Sequence, residues 1–405
     1  MATTAAAVWG RAEQQDFRSR VRGCLLGGAV GDALGAAVGK TPGPDGLAEP
    51  TAVLESAPTT APTTTAPPTP PTAAPTTAPP APPTIAPIAP PTTAFRRHGA
   101  ITAATQMTLF TVDGLIRAQV RRDTGAWHPP TDVHRAHLRW AATQRDWGPD
   151  ERRKDNGWLA REEWLYARRN PPRACLTGFG DERLGTVDRP KNPEAADSGA
   201  LVRSAPFGLL VGWEPQLVCQ LAVECAAQSH GAPVAMLAAG AFAVTVHGLA
   251  RGASLEAAVA RAVEQVAVRP GHEPVTEALG RAVGAVREGA PDAERVLALG
   301  AGGDGAEGQL AAAVYCALVG EDVRHGLRLA VDHDGPSAVT GALTGALLGA
   351  LHGDTALPPA WLAELEGRAT VLELADDFSM EMTQGAALHS PTDSSPGWLA
   401  RYPRA

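Results

Sequence analysis

The chain has 405 residues and a formal charge of −8, enough length for one large core or two ordinary ones. That charge, with a pI near 5.8, excludes the basic footprint expected of a nucleic-acid or anionic-membrane binder. No run reads as a clean bilayer span, and Met1 to Gln15 lacks the basic region and apolar core of a secretory signal. The five cysteines, Cys24, Cys175, Cys219, Cys225 and Cys316, are odd in number and form no C-x-x-C pair, so free thiols in a reducing cytoplasm are expected. Aromatic residues are only 5% of the chain while Ala, Gly and Leu abound, which favours closely packed helices and an all-α fold.

Residues 1–16 are expected to be disordered. Phe17 to Val38 reads as a helix and contains G-C-L-L-G-G-A-V-G-D-A-L-G from Gly23 to Gly35. Gly23, Gly27, Gly31 and Gly35 recur every fourth residue and share one face, although each helical glycine costs about 1 kcal/mol relative to Ala. They imply close approach either of a neighbouring helix or of a ligand near Gly31 and Asp32. Residues 41–94 become almost wholly Pro, Thr and Ala beyond their first fifteen or so, a composition that cannot offset its ordering entropy and predicts a disordered insert.

Gly99 to Ala118 reads G-A-I-T-A-A-T-Q-M-T-L-F-T-V-D-G-L-I-R-A. Met107, Leu109, Phe110, Leu115 and Ile116 supply an apolar stripe and predict an amphipathic helix. Thr102 to Met107 falls where a loop becomes that helix, a place whose unpaired N–H groups suit anions. Residues 127–190 are rich in Trp and Arg; the run Arg152-Arg153-Lys154 is flanked by Asp150, Glu151 and Asp155, so Trp packing between helices is expected rather than nucleic-acid contact. Taken alone, Asp197-Ser198-Gly199 reads as a plain helix start. Helices are then predicted at 216–229, 234–249, 255–268, 273–287, 309–318 and 323–331, with Gly231, Gly252, Gly271 and Gly320 at or near their ends. His230 stands at a helix end, where a capping or packed histidine is the ordinary case. Residues 379–405 read as a polar, Pro-containing tail.

Four of these stretches, in this order, resemble the motifs of the ADP-ribosylglycohydrolase family, which includes dinitrogenase reductase-activating glycohydrolase. The first is the glycine run ending in Gly31-Asp32-Ala33-Leu34-Gly35. The second resembles the family's I-T-D-D-T-Q-M-T-L-F-T, with Ile101, Thr102 and Thr105 to Thr111 in place but Ala103 and Ala104 at the aspartate positions. The third is the turn at Asp197-Ser198-Gly199, where the family often has Gly-Cys-Gly, followed by Arg203-x-Ala205-Pro206. His230-Gly231-Ala232-Pro233 resembles an H-G-H-P turn with its second histidine lost. The fourth, His333 to Ala350, resembles H-x-G-D-x-D-S-T-G-A-I-x-G-x-L-L-G-A. Its two acids fall at Pro336 and Ala338, its hydroxyl residue at Val339, and Gly335 and Thr340 register.

The resemblance implies a compact orthogonal multi-helix bundle, one domain over 17–378 interrupted by the 41–94 insert, with a tail from 379. It implies two Mg²⁺ or Mn²⁺ ions that hold the ribose hydroxyls and an attacking water. Hard cations need oxygen ligands and compensating charge, and alanine and proline offer neither. No cofactor is therefore expected and no catalytic residue is assigned; Thr102 and Asp334 are the weak residual metal ligands, with Asp32 and Asp332 nearby. The ligand-contacting residues implied are Asp32, Thr102, Ser198, Gly199, His230, Gly335 and Thr340. The leading expectation is a pseudoenzyme that binds ADP-ribose or an ADP-ribosylated partner. An active hydrolase with substituted ligands and an interaction protein with an empty pocket are the alternatives.

Overall fold

A computed structural model describes residues 9–38, 99–122, 124–125, 127–145, 157–389 and 397–404. The predicted insert at 41–94 and the basic run at 152–154 lie outside them. Among the described residues the regular structure is helical, with only two isolated β-bridges, Thr186 to Arg189 and Asp197 to Gly305. The helices are α1 (Arg11–Val38), α2 (Ala103–Arg122), α3 (Pro129–Thr143), α4 (Arg173–Gly178), α5 (Ala205–Gly208), α6 (Pro215–Ala226), α7 (Pro233–Ala250) and α8 (Leu255–Val266). They continue with α9 (Glu273–Ala285), α10 (Ala293–Val296), α11 (Ala306–Val319), α12 (Val323–Val331), α13 (Ser337–His352), α14 (Pro359–Glu364), α15 (Arg368–Leu388) and α16 (Trp398–Arg401).

The glycine stripe of α1 is a helix crossing. A Cβ on Gly23, Gly27, Gly31 or Gly35 would collide with the backbone at Gly349, Gly345, Gly341 or Ser337 respectively. The partners descend by four as the α1 residues rise by four, so the two helices run antiparallel in register. α13 answers with its own glycines: side chains on Gly341, Gly345 or Gly349 would strike the carbonyls of Gly31, Gly27 and Gly23. Side chains absent from both faces let two backbones touch and gain dispersion contact along several turns. The helix-contact alternative therefore accounts for the stripe, and it places Asp32 at the end of α1 where both α2 and α13 begin.

α2 is buried on nearly every side rather than amphipathic. Met107, Leu109, Phe110, Leu115 and Ile116 are core residues, each worth about 1.5–3 kcal/mol on full burial. Its polar residues are buried as well and find partners: Gln106 donates to the Leu165 and Ala167 carbonyls, and Thr111 meets His137 at 3.1 Å. Asp113 pairs with Arg117 and Arg139. Trp140 is fully buried against α2 and Phe179, as expected for packing tryptophans. α8 shows the ordinary single stripe, with Leu255, Ala258, Val259, Ala262 and Val266 buried and Ser254 accepting the Ala257 N–H as its cap.

Three expectations are corrected. α1 starts at Arg11 rather than Phe17, because Trp9 packs on Phe17 with ring centroids 5.3 Å apart and anchors the extra turns. The segment from 379 is not simply a tail. α15 runs to Leu388, and Trp398 and Tyr402 are buried, with Tyr402 donating to Asp377 at 2.7 Å and Trp398 to Glu381 at 3.1 Å. α1 and α7 do contain windows long and apolar enough to cross a membrane, but 72% and 83% of those windows are buried against the rest of the fold, as core helices are. All five cysteines are free and buried.

Candidate functional site

The N-terminus of α2 is capped by a residue of α1. Asp32 is fully buried, and its carboxylate accepts four hydrogen bonds. Thr102 donates its N–H at 2.8 Å and its hydroxyl at 2.6 Å; Thr105 donates its N–H at 3.2 Å and its hydroxyl at 2.6 Å. An anion at a helix start satisfies orphan N–H groups and opposes the helix dipole. Burial pushes the Asp32 carboxyl above its usual range, and the four hydrogen bonds work against that push. The Thr102 hydroxyl also accepts from the Ala104 N–H at 3.1 Å. Behind the turn, Arg169 accepts the Ala103 N–H on its carbonyl and donates to the Ile101 carbonyl. It is held in turn by Glu366.

The N-terminus of α13 lies beside the same end of α1, through the contact of Gly35 with Ser337 and Ala338. Pro336, Ala338 and Val339 are half-buried and Asp334 is exposed. Thr340 is in the core, and its hydroxyl donates to Gln309 Oε1 at 2.7 Å. Gly335 presses against the Ala301 carbonyl so closely that a Cβ would collide with it. Ala301 and Gly303 are themselves held by the Gln309 amide. Between α1, α2, α5 and α13 lies a cavity of about 20 Å³ lined by Cys24, Leu25, Gly28, Ala104, Val202 and Ala342, among others. That is room for about one water, in walls that are mostly apolar.

These residues do not fit a pair of divalent cations. Octahedral Mg²⁺ wants oxygen ligands at fixed geometry and compensating negative charge. The Asp32 carboxylate, with about four acceptor positions, already serves four donors. Ala103 and Ala104 are buried methyl groups, and Pro336, Ala338 and Val339 bring no side-chain oxygen. Among the described residues no three His, Cys, Asp or Glu side chains converge as a metal-holding group. The α2 and α13 termini are brought together; ligands for a metal are not.

The second region is the turn before α5. Ser198 is buried and donates its N–H to the Asp304 carbonyl at 2.9 Å. Asp197 Oδ1 accepts the Gly199 N–H at 2.9 Å and lies 2.9 Å from His230 Nε2. The other ring nitrogen of His230 is 2.8 Å from Ser229 Oγ, which accepts from Arg203 Nη2 at 2.7 Å. Only one order of donors uses every group: guanidinium to hydroxyl, hydroxyl to imidazole, imidazole to carboxylate. Burial raises the Asp197 carboxyl, but the hydrogen bond and proximity of His230 outweigh it and leave Asp197 below its usual range. His230 is fully buried and is thus a packed, doubly bonded residue. The sequence put Asp197, Ser198, Gly199 and Arg203 in one motif and His230 in another; what it did not show was Ser229 linking Arg203 to His230.

Among the described residues the fold defines an all-α protein built on a glycine-lined crossing of antiparallel helices, with the starts of α2 and α13 beside the end of α1. A family model described as ADP-ribosylglycohydrolase matches residues 13–387, and the chain belongs to that family. A solved structure titled as an ADP-ribosylglycohydrolase-related protein complex is similar, at 25% identity and a TM-score of 0.58, over 91% of this chain and all of that one. A search of curated proteins finds no match.

Proposed function

We propose that this chain is a non-hydrolysing member of its family, a cytoplasmic pseudoenzyme that has lost the dinuclear metal site and recognises ADP-ribose or an ADP-ribosylated partner. The observation that carries this reading is the state of Asp32, whose carboxylate serves four donors from Thr102 and Thr105. Glycoside hydrolysis needs a water made nucleophilic and a group to take its proton. In this family divalent cations and their carboxylates supply both. Here Ala103, Ala104, Pro336 and Ala338 stand at the matching positions, and no neutral hydroxyl replaces four negative charges. The starts of α2 and α13 still lie together beside Asp32 at the end of α1, which supports retained recognition without turnover.

Calorimetric titration of the full chain with ADP-ribose, with and without Mg²⁺ or Mn²⁺, tests the reading. Binding that is the same in chelator and in metal is expected. Metal-dependent binding together with release of ADP-ribose from a modified protein would overturn it in favour of a hydrolase with substituted ligands. No binding under either condition would leave an interaction protein with an empty pocket.

A further inference from the structure

Two donors at the 197–199 turn converge on a single acceptor. Asp197 Oδ1 takes the Gly199 N–H and His230 Nε2, each at 2.9 Å. Behind them lies a cation with no counter-ion of its own. Arg203 is fully buried, and among the described residues no carboxylate pairs with it directly. Its Nε and Nη1 have no hydrogen-bond partner, and it rests over the Phe179 ring at 5.3 Å. Cys175 and Cys225 lie beside it, but burial pushes both thiols up, Cys175 to about 11, so neither offsets the charge. An unpaired buried guanidinium is costly; here the relay through Ser229 and His230 ends on a carboxylate. That carboxylate is the one member solvent reaches, with 31% of the Asp197 side chain exposed while His230, Ser229 and Arg203 are fully buried.

We propose that Asp197 is a built-in anion occupying an anion-recognition site made by the Gly199 N–H, His230 Nε2–H and the charge of Arg203, so that a phosphate-bearing ligand binds only by displacing it. For the ligand's identity this rests on the reading that the cleft receives ADP-ribosyl groups. For the site itself it rests on the donors and the buried cation alone. Asp197 is thereby a specificity-determining residue: it disfavours diphosphates at the turn while leaving the contacts to uncharged parts of a ligand untouched.

The test titrates the full chain and its Asp197→Gly and Asp197→Asn variants with pyrophosphate, ADP-ribose and adenosine, with folding checked by circular dichroism. Asp197→Gly empties the site; Asp197→Asn removes the charge but keeps an oxygen for Gly199, and decides the matter if the glycine variant does not fold. Pyrophosphate and ADP-ribose are expected to bind at least tenfold tighter to the variants, with adenosine unchanged and the gain shrinking at high salt. In ring-nitrogen NMR, the His230 Nε2 signal is expected to be moved by pyrophosphate in the variants and not in the wild type. Folded variants that bind pyrophosphate no tighter than the wild type overturn the inference. A pyrophosphate gain with no ADP-ribose binding to any form sustains it and defeats the ADP-ribosyl reading instead.

Discussion

The α1–α2–α13 junction and the 197–199 turn handle buried charge in opposite ways. At the junction the one buried carboxylate, Asp32, is consumed in capping α2, beside the buried methyl groups of Ala103 and Ala104. At the turn, the half-exposed Asp197 carboxylate meets the Gly199 N–H and His230 Nε2. The two sides have the same energetic logic. Burial punishes an unpaired charge wherever it occurs: the Asp32 carboxylate is matched by four donors, and the buried Arg203 guanidinium is linked to Asp197 through Ser229 and His230.

The largest expected effect sharpens the contrast by attacking the crossing that underlies both regions. Gly31→Leu drives a side chain into the Gly341 backbone and should cost about 3 kcal/mol or more, read by urea denaturation. Asp32→Ala strands four donors at the start of α2, and a loss of about 2–3 kcal/mol is expected, with Asp32→Asn losing less. Were the two variants equally stable, Asp32 would not be the cap described here. Restoring Asp at both Ala103 and Ala104 buries two carboxylates and should cost about 2 kcal/mol. Mn²⁺ should not restore the melting temperature unless Pro336→Asp and Ala338→Asp are added. Recovery by Mn²⁺ in the α2 double variant alone would break the contrast, because half the acids would then suffice.

Smaller effects are expected at Asp376 and Gly28. Asp376 accepts bidentate pairs from Arg18 and Arg22 at 2.6–2.7 Å. Burial raises its carboxyl, but the hydrogen bonds of the two guanidiniums outweigh that and hold it down to about 2. Its folded pKa lies below the unfolded one, so its contribution is complete above roughly pH 4. That contribution is lost as pH falls toward 2. Because the pair is partly solvent-screened, Asp376→Asn should cost only about 1 kcal/mol at neutral pH, and wild type and variant should converge in acid melts. Gly28→Ala is the mildest: its Cβ would meet Ala342 O at 3.4 Å and Ala346 Cβ at 3.5 Å, and a gain of about 0.5 kcal/mol is expected from helix propensity.

Much of the helical layout was legible in the chain. The span 323–331 is reproduced as read, and 216–229, 234–249, 255–268 and 273–287 differ by a few residues at their ends, because proline starts, glycine stops and 3.6-residue periodicity are local signals. The glycine repeat was legible as a close approach, but its partner was not; Gly341, Gly345 and Gly349 are distant in sequence, and register is a property of two helices together. α2 misled for the same reason. Its stripe of five apolar residues is real, yet Gln106, Thr111 and Asp113 are buried too and meet Ala167, His137 and Arg139 from elsewhere in the chain, while Arg117 pairs with Asp113 within the helix.

By itself the sequence determined which residues could carry charge: no acid at 103, 104, 336 or 338, and an acid at 197. Side-chain chemistry is local, so no packing could alter those facts. Only the tertiary structure decided what the remaining charges do. It turned Asp32 inward onto the start of α2, and it joined Arg203 to Asp197 through Ser229 and His230. The energy of a buried charge depends on partners that only folding brings within hydrogen-bond reach.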